Sequence, residues 1–301
     1  MKKIFSAAVL IVASALIGVS QDKKLPEALL KMADTERAFA KLSVEKGVRE
    51  AFTTFFAGDG VNFQPHPVNI KEAFAKQPAP ANRPLTTLNW APIYGDVARS
   101  GDLGYSTGPF TIEDRSGQNR PTAHGLFFSI WKKQSSGDWR VVVDMGVRLE
   151  SAFAPLDAPL QSAPQLKAKP VATNVKIEEE RAALAKTDQA LFDVAKSGKT
   201  PEAWRKFLSD DARIYRQTKA PVFGKLALQD WIGQQGSMLD GKTIKADVSN
   251  AADLGYCYGS YELKLSGGKI EKGYYTRVWK RDAKGNWRIV FDVNNPLPDQ
   301  K

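Results

Sequence analysis

His66 and His124 are the only histidines in the 301-residue chain, and both lie in its first half. His124 stands immediately before a run of strand-forming residues, Gly125 to Trp131, and Asp144 closes the run that follows, Trp139 to Val143. A hairpin made of these two runs would bring the end of one beside the start of the other, setting Asp144 next to His124. An imidazole oriented by a carboxylate can act as a general acid or base near neutral pH. The same pair also reads as a plain ion pair on the rim of the hairpin, because the second half carries Lys272 and Asp292 in the corresponding places. Exposed pairs of that kind contribute little to stability. His66, between Pro65 and Pro67, reads as a loop residue at the mouth of a pocket.

Other chemistries are poorly provided for. Two histidines with no neighbouring cluster of cysteines or carboxylates do not make a metal site. The chain has no nucleophile motif, phosphate-binding glycine loop or dinucleotide fingerprint, so no cofactor is expected. The single cysteine, Cys257, falls in a predicted strand and reads as a small buried apolar residue. What remains is a set of aromatic residues on predicted strands: Trp90, Tyr94, Tyr105, Phe127 and Phe128, with Tyr215, Tyr256, Tyr258, Tyr274 and Tyr275 in the second half. By the two-residue period of a strand half of them face inward, where rings and hydroxyls can line a ligand pocket.

These residues must be held by elements that the chain encodes twice. Gly125 to Asp144 and Gly273 to Asp292 each join two runs of β-branched and aromatic residues through a polar, Gly-containing turn, which signals a β-hairpin. Trp131, Gly137, Trp139 and Asp144 recur 148 residues later as Trp279, Gly285, Trp287 and Asp292, and Asp102-Leu103-Gly104-Tyr105 recurs as Asp253-Leu254-Gly255-Tyr256. Earlier in each half, Thr35-Glu36 matches Thr187-Asp188 and Phe63 matches Tyr215 at an offset of 152. The spacing of apolar residues predicts helices from Leu25 to about Lys46, Val48 to about Ala57 and Val175 to about Ser197, each half then running into strands. Helices followed by an antiparallel sheet is an α+β pattern. The organisation read from this is a first domain over 21–150, a Pro- and Ala-rich linker over 151–173 and a second domain over 174–301.

Residues 1–20 stand apart: Lys2 and Lys3, then an apolar run to Val19 with Gly18 and Ser20 at its end, as in a cleaved signal peptide. This predicts export to a periplasmic or extracellular location, with no stable membrane anchor after cleavage. The net charge of +10 is spread among interleaved acidic residues, with no basic block and no nucleic-acid motif, so nucleic acid is not an expected partner.

On Glu45-Lys46-Gly47, Glu50-Ala51-Phe52, Trp131, Gly137-x-Trp139 and Asp144, with Trp279, Gly285-x-Trp287 and Asp292, each half resembles the NTF2-like superfamily, in its SnoaL-like or DUF4440 group. The resemblance implies two tandem cone-shaped domains, each with N-terminal helices packed on a curved antiparallel sheet around an apolar pocket. It also implies pairing through the outer sheet face, here between the two halves of one chain or in a homodimer. Isomerases of this kind carry an aspartate base on the first strand, just before a proline. This chain has Gln64 before Pro65 there and Arg216 in the second half, so that mechanism is not carried over. Both positions, with His66 and Asp292, remain candidate ligand contacts. The resulting expectation is a binder of a small, partly apolar molecule in the first-half pocket. The alternatives are a cofactor-free dehydratase, isomerase or cyclase using His124 and Asp144, and a protein-interaction module.

Overall fold

The computed structural model describes residues 25–78, 85–164, 175–236, 238–265 and 267–298. The predicted signal segment therefore lies outside the described residues. The first half opens with helices α1 (Glu27–Lys46) and α2 (Val48–Phe55), continues through strands β1 (Phe56–Phe63) and β2 (Pro67–Asn69), and reaches a short helix α3 (Ile70–Ala75). Strands β3 (Thr86–Trp90), β4 (Tyr94–Val97), β5 (Leu103–Asp114), β6 (Ala123–Lys133) and β7 (Trp139–Leu149) follow. The two-residue β8 (Gln161–Ser162) lies within the predicted linker. The second half repeats the plan with α4 (Ile177–Ala195), α5 (Thr200–Phe207), β9 (Leu208–Tyr215), β10 (Val222–Phe223) and α6 (Lys225–Gly233). It ends with β11 (Met238–Val248), β12 (Leu254–Lys264), β13 (Ile270–Arg281) and β14 (Trp287–Pro296).

The architecture is α+β with two sheets, but the expected cones are absent. The first sheet runs β2-β1-β7-β6-β5-β4-β8, with β3 also on β5, and the second runs β10-β9-β14-β13-β12-β11; neither closes on itself. Nor is either purely antiparallel, since β1 pairs in parallel with β7 and β9 with β14. The physical reason lies in how the faces are covered. One face of each sheet packs on its own helices and the other packs on the opposite sheet, so apolar surface is buried without closure.

On α1 the residues Leu29, Met32, Ala33, Glu36, Phe39, Ala40 and Ser43 are buried, a stripe at three- and four-residue spacing that seats the helix on its sheet. The helix expected from Val48 to about Ala57 ends earlier, at Phe55, ahead of Gly58 and Gly60. The chain enters β1 at Phe56, and the glycines sit where the β1–β7 register shifts. A Cβ on Gly60 would come within 2.6 Å of the Val141 carbonyl oxygen, so only glycine allows that approach. Strands β3 and β4 are separated around Pro92, which has no N–H to donate to a ladder.

The two halves pack on each other through a shared core. Phe128 stacks on Phe291 with ring centroids 4.3 Å apart, and Tyr105 and Tyr215 lie against the same ring at 5.7 and 4.7 Å. Polar contacts around this core come in exchanged pairs, as in an isologous interface. Lys280 binds Asp96 at 2.5 Å while its counterpart Lys132 binds Asp247, and the Arg99 amide donates to Asp253 while the Asn250 amide donates to Asp102. Residues 151–164 of the predicted linker run along this assembly: β8 pairs with β4, and Ala163 is buried in the inter-sheet core.

Candidate functional site

Alternation along β6 and β7 sorts their side chains between two destinations. Leu126, Phe128, Ile130, Val143, Met145 and Val147 belong to the core between the sheets. Phe127, Asp144, Gly146 and Arg148 line a cavity of about 360 Å³ on the helix side of the sheet. Val48 and Phe52 of α2, Asn62 of β1, Leu88 and Trp90 of β3 and Phe110 of β5 supply the other walls. The cavity is therefore mostly apolar, with several aromatic walls and a few polar groups aimed into it, the usual composition of a small-molecule site.

Asp144 is the central polar group. Asn62 Nδ2 donates to its Oδ1 at 2.8 Å and Ser129 Oγ to its Oδ2 at 2.9 Å. No cation pairs with it among the described residues. Burial beneath the aromatic walls, reinforced by the nearby carboxyl of Glu36, pushes its pKa up to about 7, against the smaller opposing effect of the two donors. Glu36, wholly buried on α1, accepts from Trp90 Nε1 at 2.7 Å, Ser106 Oγ at 2.6 Å and Trp131 Nε1 at 2.7 Å. Burial raises its pKa as well, and these donors only partly offset that. The first half thus holds two neighbouring carboxyl groups, Glu36 wholly buried and Asp144 half-buried, with no counter-charge paired to either among the described residues. Like charges so placed favour the protonated form of at least one.

The second half resolves the same problem differently. Asp188 and Asp292 occupy the places of Glu36 and Asp144, but Arg277 occupies the place of Ser129. Its Nε donates to Asp292 at 2.6 Å and its Nη1 to Asp188 at 3.2 Å, and Arg216 also holds Asp292 at 2.6 Å. Burial works against the charge of Arg277, but the two carboxylates outweigh it and raise its pKa above the usual arginine value. Tyr275 Oη adds a bond to Asp188 at 2.5 Å. These side chains fill the space, and the corresponding cavity is only about 30 Å³. Trp279, the counterpart of Trp131, has an indole N–H without a partner among the described residues; aspartate is one methylene shorter than glutamate, and Asp188 does not reach it.

Several expected placements are corrected. His124 is paired across the hairpin with Leu149, whereas Asp144 faces Ser129. The reason is that β7 continues to Leu149 instead of ending near Asp144, so the proposed dyad is five strand positions apart, about 17 Å along the strand. Lys272 likewise pairs with Glu262 at 2.6 Å and not with Asp292. Tyr94, Tyr105, Phe128, Tyr215 and Tyr256 lie in the inter-sheet core, on the opposite face from the cavity. Gln64 and Trp90 line the first-half cavity, while Arg216 and Asp292 belong to the filled second-half site. His66 and Tyr274 line neither of these two sites but meet each other, Nδ1 to Oη at 3.0 Å, where the two halves adjoin, and each borders a separate surface pocket there.

Phe127, one of the strand aromatics expected to line a pocket, does so, whereas Asn62, Ser129, Arg148 and Glu36 were not singled out from the sequence. Glu36 carried a readable signal, an acidic residue repeated as Asp188 inside the apolar stripe of a helix.

No protein-family model matches the chain, and no curated protein matches it. Among solved structures it is similar to a ketosteroid isomerase-like protein from Erwinia carotovora atroseptica, at 15% identity and a TM-score of 0.35 over 40% of this chain and 98% of that one. It is similar to an NTF2-like protein with a cystatin-like fold from Novosphingobium aromaticivorans, at 19% identity and a TM-score of 0.32 over 41% and 85%. It is also similar to a type 2 hexachlorocyclohexane dehydrochlorinase, at 15% identity and a TM-score of 0.31 over 41% and 95%. Likenesses of this size carry no argument about activity, which rests on the chain's own residues.

Proposed function

We propose that the first half binds a small, partly apolar molecule in the cavity between α2 and the β3-β5-β6-β7 face, and that Asp144 addresses the polar end of that molecule. The observation that supports this most directly is the difference between the halves. The same framework is plugged by Arg277 in one and left open, with an uncompensated carboxyl, in the other. Apolar walls supply the driving force for binding, and a carboxyl near neutrality can donate or accept a hydrogen bond according to its ligand. Native mass spectrometry of the full chain, purified gently, tests this. A retained small-molecule mass is expected in the wild type and its loss in Gly146→Val, which places a branched side chain in the cavity. An unaltered mass in the variant, or a wild type that takes up no apolar ligand at all, refutes it.

One observation favours a catalytic variant of this reading. A group with a pKa of about 7 in a water-poor site is suited to general acid–base work without a cofactor. Asp144 alone would carry it, since His124 lies too far away. Turnover lost in Asp144→Asn with ligand affinity retained would establish this variant. We further propose that the chain is exported and that its halves are tandem NTF2-like units. N-terminal sequencing of protein made in a secreting host should begin at Gln21, and an intact Met1 would refute export.

A further inference from the structure

The cavity has two unlike ends. Asp144, Gly146 and Arg148 all face it from alternate positions of β7, so a half-buried carboxyl and an exposed guanidinium lie at opposite ends, with Cα atoms about 13 Å apart. The Arg148 guanidinium forms no ion pair, hydrogen bond or ring contact with any of the described residues; only its backbone is engaged, the N–H donating to Gln217 Oε1 at 2.9 Å and the carbonyl accepting from the Thr218 N–H at 2.8 Å. The two arginines at the second-half site, Arg216 and Arg277, are both tied to carboxylates. Gln64 lies two residues beyond Asn62, the parallel partner of Asp144, and so stands beside Gly146 on the Arg148 side of the cavity; its side-chain amide likewise has no partner among the described residues, only its backbone N–H being engaged, with the His66 carbonyl at 2.9 Å. Between the ends, Gly146 presents no side chain. A Cβ there would sit 3.4 Å from Phe110 Cε1 and 3.5 Å from the Leu126 carbonyl oxygen, so the glycine leaves room over the middle of the cavity floor.

We infer that the ligand class is an amphipathic carboxylic acid: a flat apolar body over Gly146, a carboxylate held by Arg148 and Gln64, and a hydroxyl or carbonyl meeting Asp144. This rests on the cavity being the binding site, and it goes further by assigning charge and polarity along its length. A guanidinium fork matches a carboxylate in plane and in spacing, and the neighbouring amide N–H₂ adds a donor to the same oxygens. The aromatic walls of Phe52, Trp90 and Phe127 suit a planar body by edge and face contacts. At the far end the protonated carboxyl of Asp144 offers the donor that a carbonyl needs, and its ionised form accepts from a hydroxyl.

Isothermal titration calorimetry with three probes tests this on the full chain: 6-hydroxy-2-naphthoate, 2-naphthol and 2-naphthyl phosphate. The wild type is expected to bind the hydroxy acid most tightly. Arg148→Gln should weaken that affinity by about ten- to a hundredfold, the loss of one charge-assisted contact, while leaving 2-naphthol within about twofold. Gly146→Val should abolish binding of both. If 2-naphthol binds the wild type and is lost in Gly146→Val, but Arg148→Gln treats acid and phenol alike, the carboxylate assignment falls while the cavity reading stands. Tighter binding of the phosphate than of the acid also overturns the assignment. Binding of none of the three, in a folded wild type, overturns the assignment together with the cavity reading.

Discussion

Replacing Asp144 by asparagine separates the charge of this residue from its shape. The carboxyl has a pKa of about 7 when folded and 3.8 as an ordinary aspartate. The folded state therefore binds this proton more tightly than the unfolded chain does. Its contribution to stability is fully present below pH 3.8, falls as pH rises between 3.8 and 7, and is gone above 7. Each pH unit within that window is worth about 1.4 kcal/mol, so between pH 5 and pH 8 the wild type should lose about 3 kcal/mol through this group alone. Asparagine has no such titration and keeps the local bonds. Its oxygen can accept from Asn62, and its amide can donate to Ser129, whose hydroxyl accepts as readily as it donates. Glu36 titrates in both proteins and cancels from the difference, apart from its repulsion of Asp144. Urea denaturation of wild type and Asp144→Asn at pH 5 and pH 8 reads the effect directly. The variant should be more stable than the wild type by about 1.5 kcal/mol at pH 5 and by about 4 kcal/mol at pH 8. Parallel curves, within about 0.5 kcal/mol at both pH values, would show an ordinary carboxylate and remove the physical basis for a special role of Asp144.

Two further substitutions probe the buried polar groups that frame the site. Glu36→Ala strands the indole N–H groups of Trp90 and Trp131 and the hydroxyl of Ser106, and should cost on the order of 3–5 kcal/mol in urea unfolding; a cost under about 1 kcal/mol would contradict the network. In the second half, Arg277→Met leaves Asp188 without its cation and Asp292 with Arg216 alone. A loss of about 3–5 kcal/mol is expected in urea unfolding at pH 7; a loss under about 1 kcal/mol would refute the ion-pair reading.

The local elements and the repeat were legible in the chain itself. The hairpins around Gly137 and Gly285 announce themselves through two-residue alternation and polar turns, and the stripe on α1 through its three- and four-residue spacing, because these patterns depend only on near neighbours. The duplication of Trp131, Trp139 and Asp144 as Trp279, Trp287 and Asp292 needs no coordinates. The faces were another matter. Phe127 and Phe128 are adjacent, both buried and chemically identical, yet one lines the cavity and the other packs between the sheets. Polarity cannot distinguish two faces that are both apolar. Register had the same ambiguity: only the extension of β7 to Leu149 sets His124 opposite that residue and leaves Asp144 to Ser129 and Asn62. The fate of each pocket was decided by contacts between distant residues. Asp188, Arg277 and Asp292 meet only when α4, β13 and β14 come together, and that meeting neutralises and fills one half. In the other half Ser129 carries no charge, so burial leaves Asp144 beside an open cavity with its proton nearly free to come or go.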